Sequence, residues 1–339
     1  MKYDVQNFKN GTALTANHLN HIESGISTLF DIGNNSIKYD SDLKLVLFYM
    51  DDTLIGTLSY DEIKSKRCNI IFIGNSYSQN TSSYLYDFFT ALGVEEFCID
   101  VMYIGGCSID THWTNAQNDS ASYDLWEYTG SGTTKTTNGV KLSTALKAKE
   151  YDWVIFSQNS DNSGIASSYA NLQNLIDYVK NNIVSADTKY AFNMTWAWKT
   201  GRSSYDTVYG DPTTMYNQVV ACMKSEVLPK SDISCLIPNG TAVHIARQPS
   251  VIGEAKLFAD TTHLSVHGSF MIGMVTVFSL LKGYPHYYDI KNYTPDFCLP
   301  TNKHPSWGTN TGTLDTSYAN QYYVTASKAL TSPLEPILN

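Results

Sequence analysis

Charge is scarce in this chain. Asp, Glu, Lys and Arg make up only 16% of its 339 residues and leave a net charge of −9. A surface that follows nucleic-acid phosphates needs clustered Lys and Arg, so nucleic acid is set aside as a partner. The six cysteines, Cys68, Cys98, Cys107, Cys222, Cys235 and Cys298, include no C-x-x-C pair. They read as buried thiols rather than as a zinc site or a disulfide framework, and no spacing of histidines suggests metal ligands. No apolar run is long enough to cross a bilayer, and the polar stretch Met1 to Lys9 does not read as a signal peptide.

What is present is a hydrophobic content of 42%, enough for a sizeable core. With charge so sparse, Tyr, Asn, Ser and Thr carry much of the polar surface, a composition that suits contacts to sugars. The chain is organised around Cys68 to Thr81, C-N-I-I-F-I-G-N-S-Y-S-Q-N-T. Asn69 to Ile73 form an apolar run of the length of a strand buried on both faces. Gly74, Asn75 and Ser76 interrupt it, and Tyr84, Leu85, Phe88, Phe89 and Leu92 then recur at helical spacing. A strand, a glycine turn and a helix put Ser76 at the carboxyl end of a strand, where open α/β sheets place their chemistry. Three roles fit that turn on its own. Ser76 is a nucleophile beside backbone oxyanion donors, or Ser76, Ser78 and Thr81 cradle a flavin or nucleotide phosphate, or the turn has no chemical role.

Residues 1–65 read as a separate piece. Leu19, Ile22, Ile26 and Leu29 make a heptad-like seam on a helix from Thr15 to Phe30, which must bury that seam, here expected against an identical helix of a second subunit. Lys44 to Met50 and Thr53 to Leu58 flank Asp51-Asp52 as a β-hairpin. From residue 66 onward strands alternate with helices. Apolar runs at Asn69 to Ile73, Phe97 to Tyr103, Asp152 to Phe156, Lys189 to Met194 and Ile233 to Ile237 predict a five-stranded parallel sheet covered on both faces. Residues 114–140, rich in Asn, Ser, Thr and Gly, are expected to be a long surface loop shaping a substrate mouth. The tail after Gly283 is expected to wrap the domain.

A second site lies near the far end. In Phe258-Ala259-Asp260-Thr261-Thr262-His263-Leu264-Ser265 the carboxylate of Asp260 can fold back onto one ring nitrogen of His263, leaving the other to face a hydroxyl. A serine nucleophile needs such a base, since its own hydroxyl stays protonated at neutral pH. This loop follows the fifth strand, so in a doubly wound sheet it returns to the edge that carries Ser76.

The blocks Gly74-Asn75-Ser76, Gly106 in G-G-C-S, Ser157-Gln158-Asn159-Ser160 and Asp260-x-x-His263 together resemble the SGNH (GDSL-type) hydrolases, in the same order across residues 68–282. I-G-N-S-Y-S-Q, I-G-G-C-S-I-D-T-H-W, T-W-A-W, G-T-A-V-H-I-A-R and D-T-T-H-L-S resemble a bacterial branch of that superfamily more narrowly. The resemblance implies a flavodoxin-like three-layer α/β/α fold and ester hydrolysis with no metal or other cofactor. Ser76 would be the nucleophile, His263 the general base and Asp260 its orienter. The backbone N–H groups of Ser76 and Gly106 and a side-chain amide would form the oxyanion hole. The third block departs from the usual G-x-N-D, so both Gln158 and Asn159 are candidates for that amide; neighbouring strand residues point to opposite sides, and only one can face the site. Asn75, His112, Trp113 and Trp196 are candidate substrate contacts, with tryptophan stacking on a sugar face. The expected substrate is an acylated carbohydrate or other small ester. The segment F-K-N-G-T-A-L-T-A-N-H-L-N-H-I-E-S-G-I resembles the N-terminal segments of phage tail and baseplate proteins, which implies assembly on a larger particle; the homo-oligomer is expected from the helix seam, and both a virion and a cytoplasmic location stay open.

Overall fold

The computed structural model describes residues 36–40, 45–50, 53–59, 67–203, 205–282, 289–299 and 312–338, the first three stretches and residues 205 and 206 by their backbone only. The chain divides into two compact units, Met1–Lys66 and Arg67–Asn339. In the first, β1 (Ser36–Asp40), β2 (Leu45–Met50) and β3 (Thr53–Ser59) form an antiparallel sheet in that order. β2 and β3 are the expected hairpin, and β1 is an additional strand. The helix expected over Thr15 to Phe30 lies outside the described residues.

The second unit is built on β4 (Ile70–Gly74), buried along its whole length. Ile70 and Phe72 point into one core and Ile71 and Ile73 into the other, as the two-residue period of a strand requires. Burying each of these four side chains contributes roughly 2 kcal/mol. Beside β4 lie β5 (Ile99–Tyr103) and β8 (Trp153–Ser157), and beyond β8 come β9 (Lys189–Asn193) and β10 (Ile233–Ile237). All five pair in parallel, in the order β10-β9-β8-β4-β5. The chain moves from β4 outward to β5 and then back to β8, so the strand order reverses beside β4. A crevice opens at such a point, outside the carboxyl ends of the strands.

The sheet is larger than expected, with seven strands. Residues 114–140 are not a loop: β6 (Tyr123–Gly130) pairs antiparallel with β5, and β7 (Thr133–Val140) closes the edge. Their Asn, Ser, Thr and Gly content read as irregular, but Thr, Tyr and Trp are good strand formers on a half-exposed surface. β7 is exposed over most of its length and carries Lys135, which suits an edge that must not recruit another strand.

Helices cover both faces. On one side lie α1 (Ser76–Ser82), α2 (Leu85–Ala91), α7 (Asn239–Ala246), α8 (Val266–Leu280) and α9 (Ala319–Thr331). On the other lie α3 (Ile109–Gln117), α4 (Leu142–Ala148), α5 (Leu172–Asn182) and α6 (Pro212–Cys222). The result is a three-layer α/β/α sandwich. α8 is buried almost all round, which is why its sequence V-H-G-S-F-M-I-G-M-V-T-V-F-S-L shows little polar face. The tail contains a helix that was not expected: α9 buries Tyr322, Ala326 and Ala329 in the same core as α8. Among the described residues no helix is long and apolar enough to cross a membrane.

Candidate active site

Ser76 opens α1 directly after β4. Asn75 caps that helix: its Oδ1 accepts from the Tyr77 N–H at 3.0 Å, and its Nδ2 donates to the Cys107 carbonyl at 3.0 Å. The residue is buried by these two bonds, so Asn75 shapes the turn and ties it to the loop after β5. Gly74 is needed for space. A Cβ there would come within 2.0 Å of the Ser78 Oγ and 2.7 Å of the Ser157 Oγ, two hydroxyls that meet at 3.2 Å and bind the first turn of α1 to the end of β8. Ser76 itself stays half-exposed.

The loop after α7 brings His263 to this serine. Phe258 and Leu264 bridge as antiparallel partners, and the Ala259 N–H donates to the His263 carbonyl at 2.9 Å, so Asp260 to His263 form a tight reversal. Inside it the Asp260 Oδ1 accepts the N–H groups of Thr262 and His263 at 2.6 and 2.7 Å. Its Oδ2 meets the His263 Nδ1 at 2.8 Å, and the His263 Nε2 meets the Ser76 Oγ at 2.9 Å. A carboxylate can only accept, so Nδ1 carries the proton and Nε2 is left to accept from the serine hydroxyl. Partial burial would raise the Asp260 pKa, but the backbone N–H groups and the imidazole outweigh it and hold the carboxyl below its usual value.

The site's other groups separate clearly. Gln158 is 0% exposed and wholly engaged: its Nε2 donates to the carbonyl and the Oγ of Ser168 at 2.9 and 3.0 Å, and its Oε1 accepts from the N–H groups of Ile109 and Asn159. Asn159 lies closer to the surface. Its Nδ2 donates to the Gly106 carbonyl at 2.9 Å and its Oδ1 accepts from the Asn162 N–H, which leaves one amide hydrogen over. Of the two side-chain amides, only Asn159 keeps a hydrogen with no acceptor among the described residues. Gly106 holds φ at +63°, a left-handed turn that brings its carbonyl to Asn159. Among the described residues no acceptor pairs with the Ser76 or Gly106 N–H.

Three expected substrate contacts do not reach the site's surface: Asn75, 1% exposed and spent on the turn, and the two that follow. His112 on α3 is 0% exposed, with its Nδ1 on the Tyr123 hydroxyl at 3.0 Å and its ring stacked on Tyr123; burial pushes its pKa down to about 3. Trp196 is also 0% exposed: it stacks on Tyr77 with ring centroids 4.0 Å apart and donates from Nε1 to the Thr262 carbonyl at 3.0 Å. It supports the His263 loop from behind and offers no face to a sugar. Trp113 is half-buried on α3. His267, four residues after His263, turns to the Tyr322 hydroxyl at 2.8 Å instead of to Ser76. Arg247 pairs with Glu254 at 2.8 Å and donates to the Trp198 carbonyl. Among the described residues no three His, Cys, Asp or Glu side chains are grouped so as to hold a metal ion.

Sequence reasoning missed two contributors. Arg202 lies over the Trp198 ring, bonds the Thr262 Oγ1 and pairs with Asp161 at 3.2 Å, so it links the loop of Asn159 to the loop of His263. Asn80 bonds the main chain of Leu264. Its position, four residues after Ser76 on one helix, was the signal available.

The fold recurs in a solved structure of a DUF4886 family protein from Bacteroides uniformis, which is 24% identical and superposes with a TM-score of 0.67 over 80% of this chain and 97% of that one. Looser matches include a candidate SGNH hydrolase from Slackia heliotrinireducens, 18% identical over 63% of this chain and 99% of that one with a TM-score of 0.43, and an acetyl xylan esterase, 14% identical over 62% and 98% with a TM-score of 0.40. No curated protein matches the chain. The model of the family described as Domain of unknown function (DUF4886) matches residues 69–297, well over half of the chain, and the protein belongs to that family.

Proposed function

We propose that the protein is a serine esterase that removes small acyl groups, acetyl above all, from carbohydrate. The observation that carries this reading is the continuous hydrogen-bonded line from Asp260 through His263 to Ser76 at the carboxyl edge of the sheet. The resemblance of the sequence blocks to the SGNH hydrolases agrees with it.

As the Ser76 Oγ attacks the acyl carbon, its proton passes to the His263 Nε2, and Asp260 stabilises the imidazolium through Nδ1. The carbonyl oxygen becomes an oxyanion, received by the N–H groups of Ser76 and Gly106 and the remaining amide hydrogen of Asn159. When the tetrahedral intermediate collapses, the ester C–O bond breaks and His263 returns its proton to the departing alcohol oxygen, leaving acyl-Ser76. Water then repeats the sequence. It gives a proton to His263 and attacks the acyl carbon; the bond to the Ser76 Oγ breaks, and that oxygen recovers the proton as the acid is released.

The carbohydrate part of the reading is supported by a chain poor in charge and rich in hydroxyl and amide side chains. The test is release of acyl groups from a panel of acetylated glycans, p-nitrophenyl acetate and longer lipid esters by wild type and Ser76→Ala. The expected outcome is release of acetate by wild type, with glycans preferred, and a loss of roughly 10⁴-fold or more in Ser76→Ala. Equal release by both proteins would remove Ser76 from the reaction, and preference for long-chain esters would remove the carbohydrate.

A further inference from the structure

We propose that Asn80 is a positioning residue, which sets the distance and angle between the Ser76 hydroxyl and the His263 imidazole; the inference rests on the esterase reading and extends it. Asn80 stands four residues beyond Ser76 in α1, so the two side chains leave the same side of the helix, one turn apart. Its amide is 0% exposed. The Nδ2 donates to the Leu264 carbonyl at 3.2 Å and the Oδ1 accepts from the Leu264 N–H at 3.4 Å. Both main-chain groups of one residue are thus taken by one side chain, much as a neighbouring strand would take them. The Nδ2 also donates to the Ser269 Oγ at 2.9 Å, which fixes the amide against α8.

Leu264 is the residue after His263. The helix that carries the hydroxyl therefore grips the backbone next to the imidazole, and paired donor and acceptor contacts restrain rotation as well as separation. The other ties on this loop come mainly from elsewhere. Trp196 holds the Thr262 carbonyl, the Lys199 N–H holds the Thr261 carbonyl, and Arg202 holds the Thr262 hydroxyl, all from the segment after β9. From α1 itself come the Ser76 hydroxyl on the His263 Nε2 and the Tyr77 hydroxyl on the Thr262 carbonyl at 3.4 Å. Removal of Asn80 leaves the loop attached to the segment after β9 but loosens it from the serine. A misplacement of about 1 Å between reacting groups costs on the order of 100-fold in rate.

The experiment compares wild type with Asn80→Ala and Asn80→Ser. It reads kcat and KM on p-nitrophenyl acetate, the rate of Ser76 labelling by a fluorophosphonate, and amide hydrogen exchange at Leu264. In Asn80→Ala, kcat and the labelling rate are expected to fall roughly 10- to 100-fold, with KM within about twofold because Asn80 lies away from the substrate. Leu264 is expected to exchange slowly in wild type and fast in the variant, and Asn80→Ser, which keeps one polar atom, should fall between. A loss that appears in KM alone, a kcat at the wild-type level, or rapid exchange at Leu264 in the wild type overturns the proposal. The last of these needs no variant, so a variant that fails to fold does not block the test. A wild type inactive on every ester would end the esterase reading, while the exchange measurement still judges the clamp.

Discussion

Two histidines of the second unit show how differently the same side chain is used within one fold. His112, inside α3, meets the Tyr123 hydroxyl through Nδ1 and among the described residues has no hydrogen-bond partner for Nε2; buried in the core, it is held neutral with its pKa pushed down to about 3. His263, on a loop at the sheet's edge, keeps 33% of its side chain exposed, with a carboxylate on one nitrogen and a hydroxyl on the other. What separates them is the presence of an acid to choose the tautomer and of solvent for a substrate to displace. A buried imidazole without a carboxylate can fill space and accept a hydrogen bond, but it cannot carry a proton at neutral pH. The same contrast recurs between Gln158, closed on Ser168, and Asn159, one hydrogen short of closure.

The contrast breaks most severely at Asp260. Asp260→Asn keeps the shape of the loop but offers an amide where Nδ1–H needs an acceptor, so kcat on p-nitrophenyl acetate is expected to fall roughly 10³- to 10⁴-fold with KM little changed. A loss below about tenfold would mean that the carboxylate does not orient the ring.

The next largest effect belongs to the other histidine, and it is one of stability. An unfolded chain protonates a histidine as pH falls through about 6.5, whereas native His112 resists until pH is near 3. The unfolded state then binds the extra proton, so the folded state loses stability as pH falls across that window. Denaturant unfolding at pH 7 and pH 4 should show wild type losing about 3 kcal/mol more than His112→Phe over the interval. Activity per folded molecule should not follow this loss. Equal pH dependence of stability in the two proteins would contradict the buried, neutral assignment.

The neighbouring amides sharpen the same distinction on a smaller scale. Asn159→Ala should lower kcat about 100-fold while the thermal transition moves little. Gln158→Ala should lower the melting temperature, because it strands the N–H groups of Ile109 and Asn159 and both acceptors on Ser168. A reversal of these two outcomes would exchange the roles of the residues.

Much of the framework was legible in the sequence because local pattern determines it. The run Ile70 to Ile73 is too apolar and too short to be anything but a strand buried on both faces, and Gly74-Asn75-Ser76 marks its end. The reversal Asp260 to His263 was legible because a carboxylate three residues before a histidine can close on it without help from the rest of the chain. The choice between Gln158 and Asn159 was not, since it depends on Ser168 and Gly106, which approach only after folding. Trp196 and His112 misled for a related reason: an aromatic side chain near a predicted site reads as a binding surface until its burial is known. The hairpin of β6 and β7 was hidden by a composition that favours loops in general but strands when a partner such as β5 is available.

In the proposed mechanism His263 and Asp260 make the Ser76 hydroxyl nucleophilic. The most direct test is the mass of the intact protein after brief treatment with a fluorophosphonate, followed by peptide mapping. One adduct is expected, on Ser76, formed rapidly by wild type and suppressed to the background rate in His263→Ala. Labelling of another serine, or equal labelling with and without the imidazole, would contradict it.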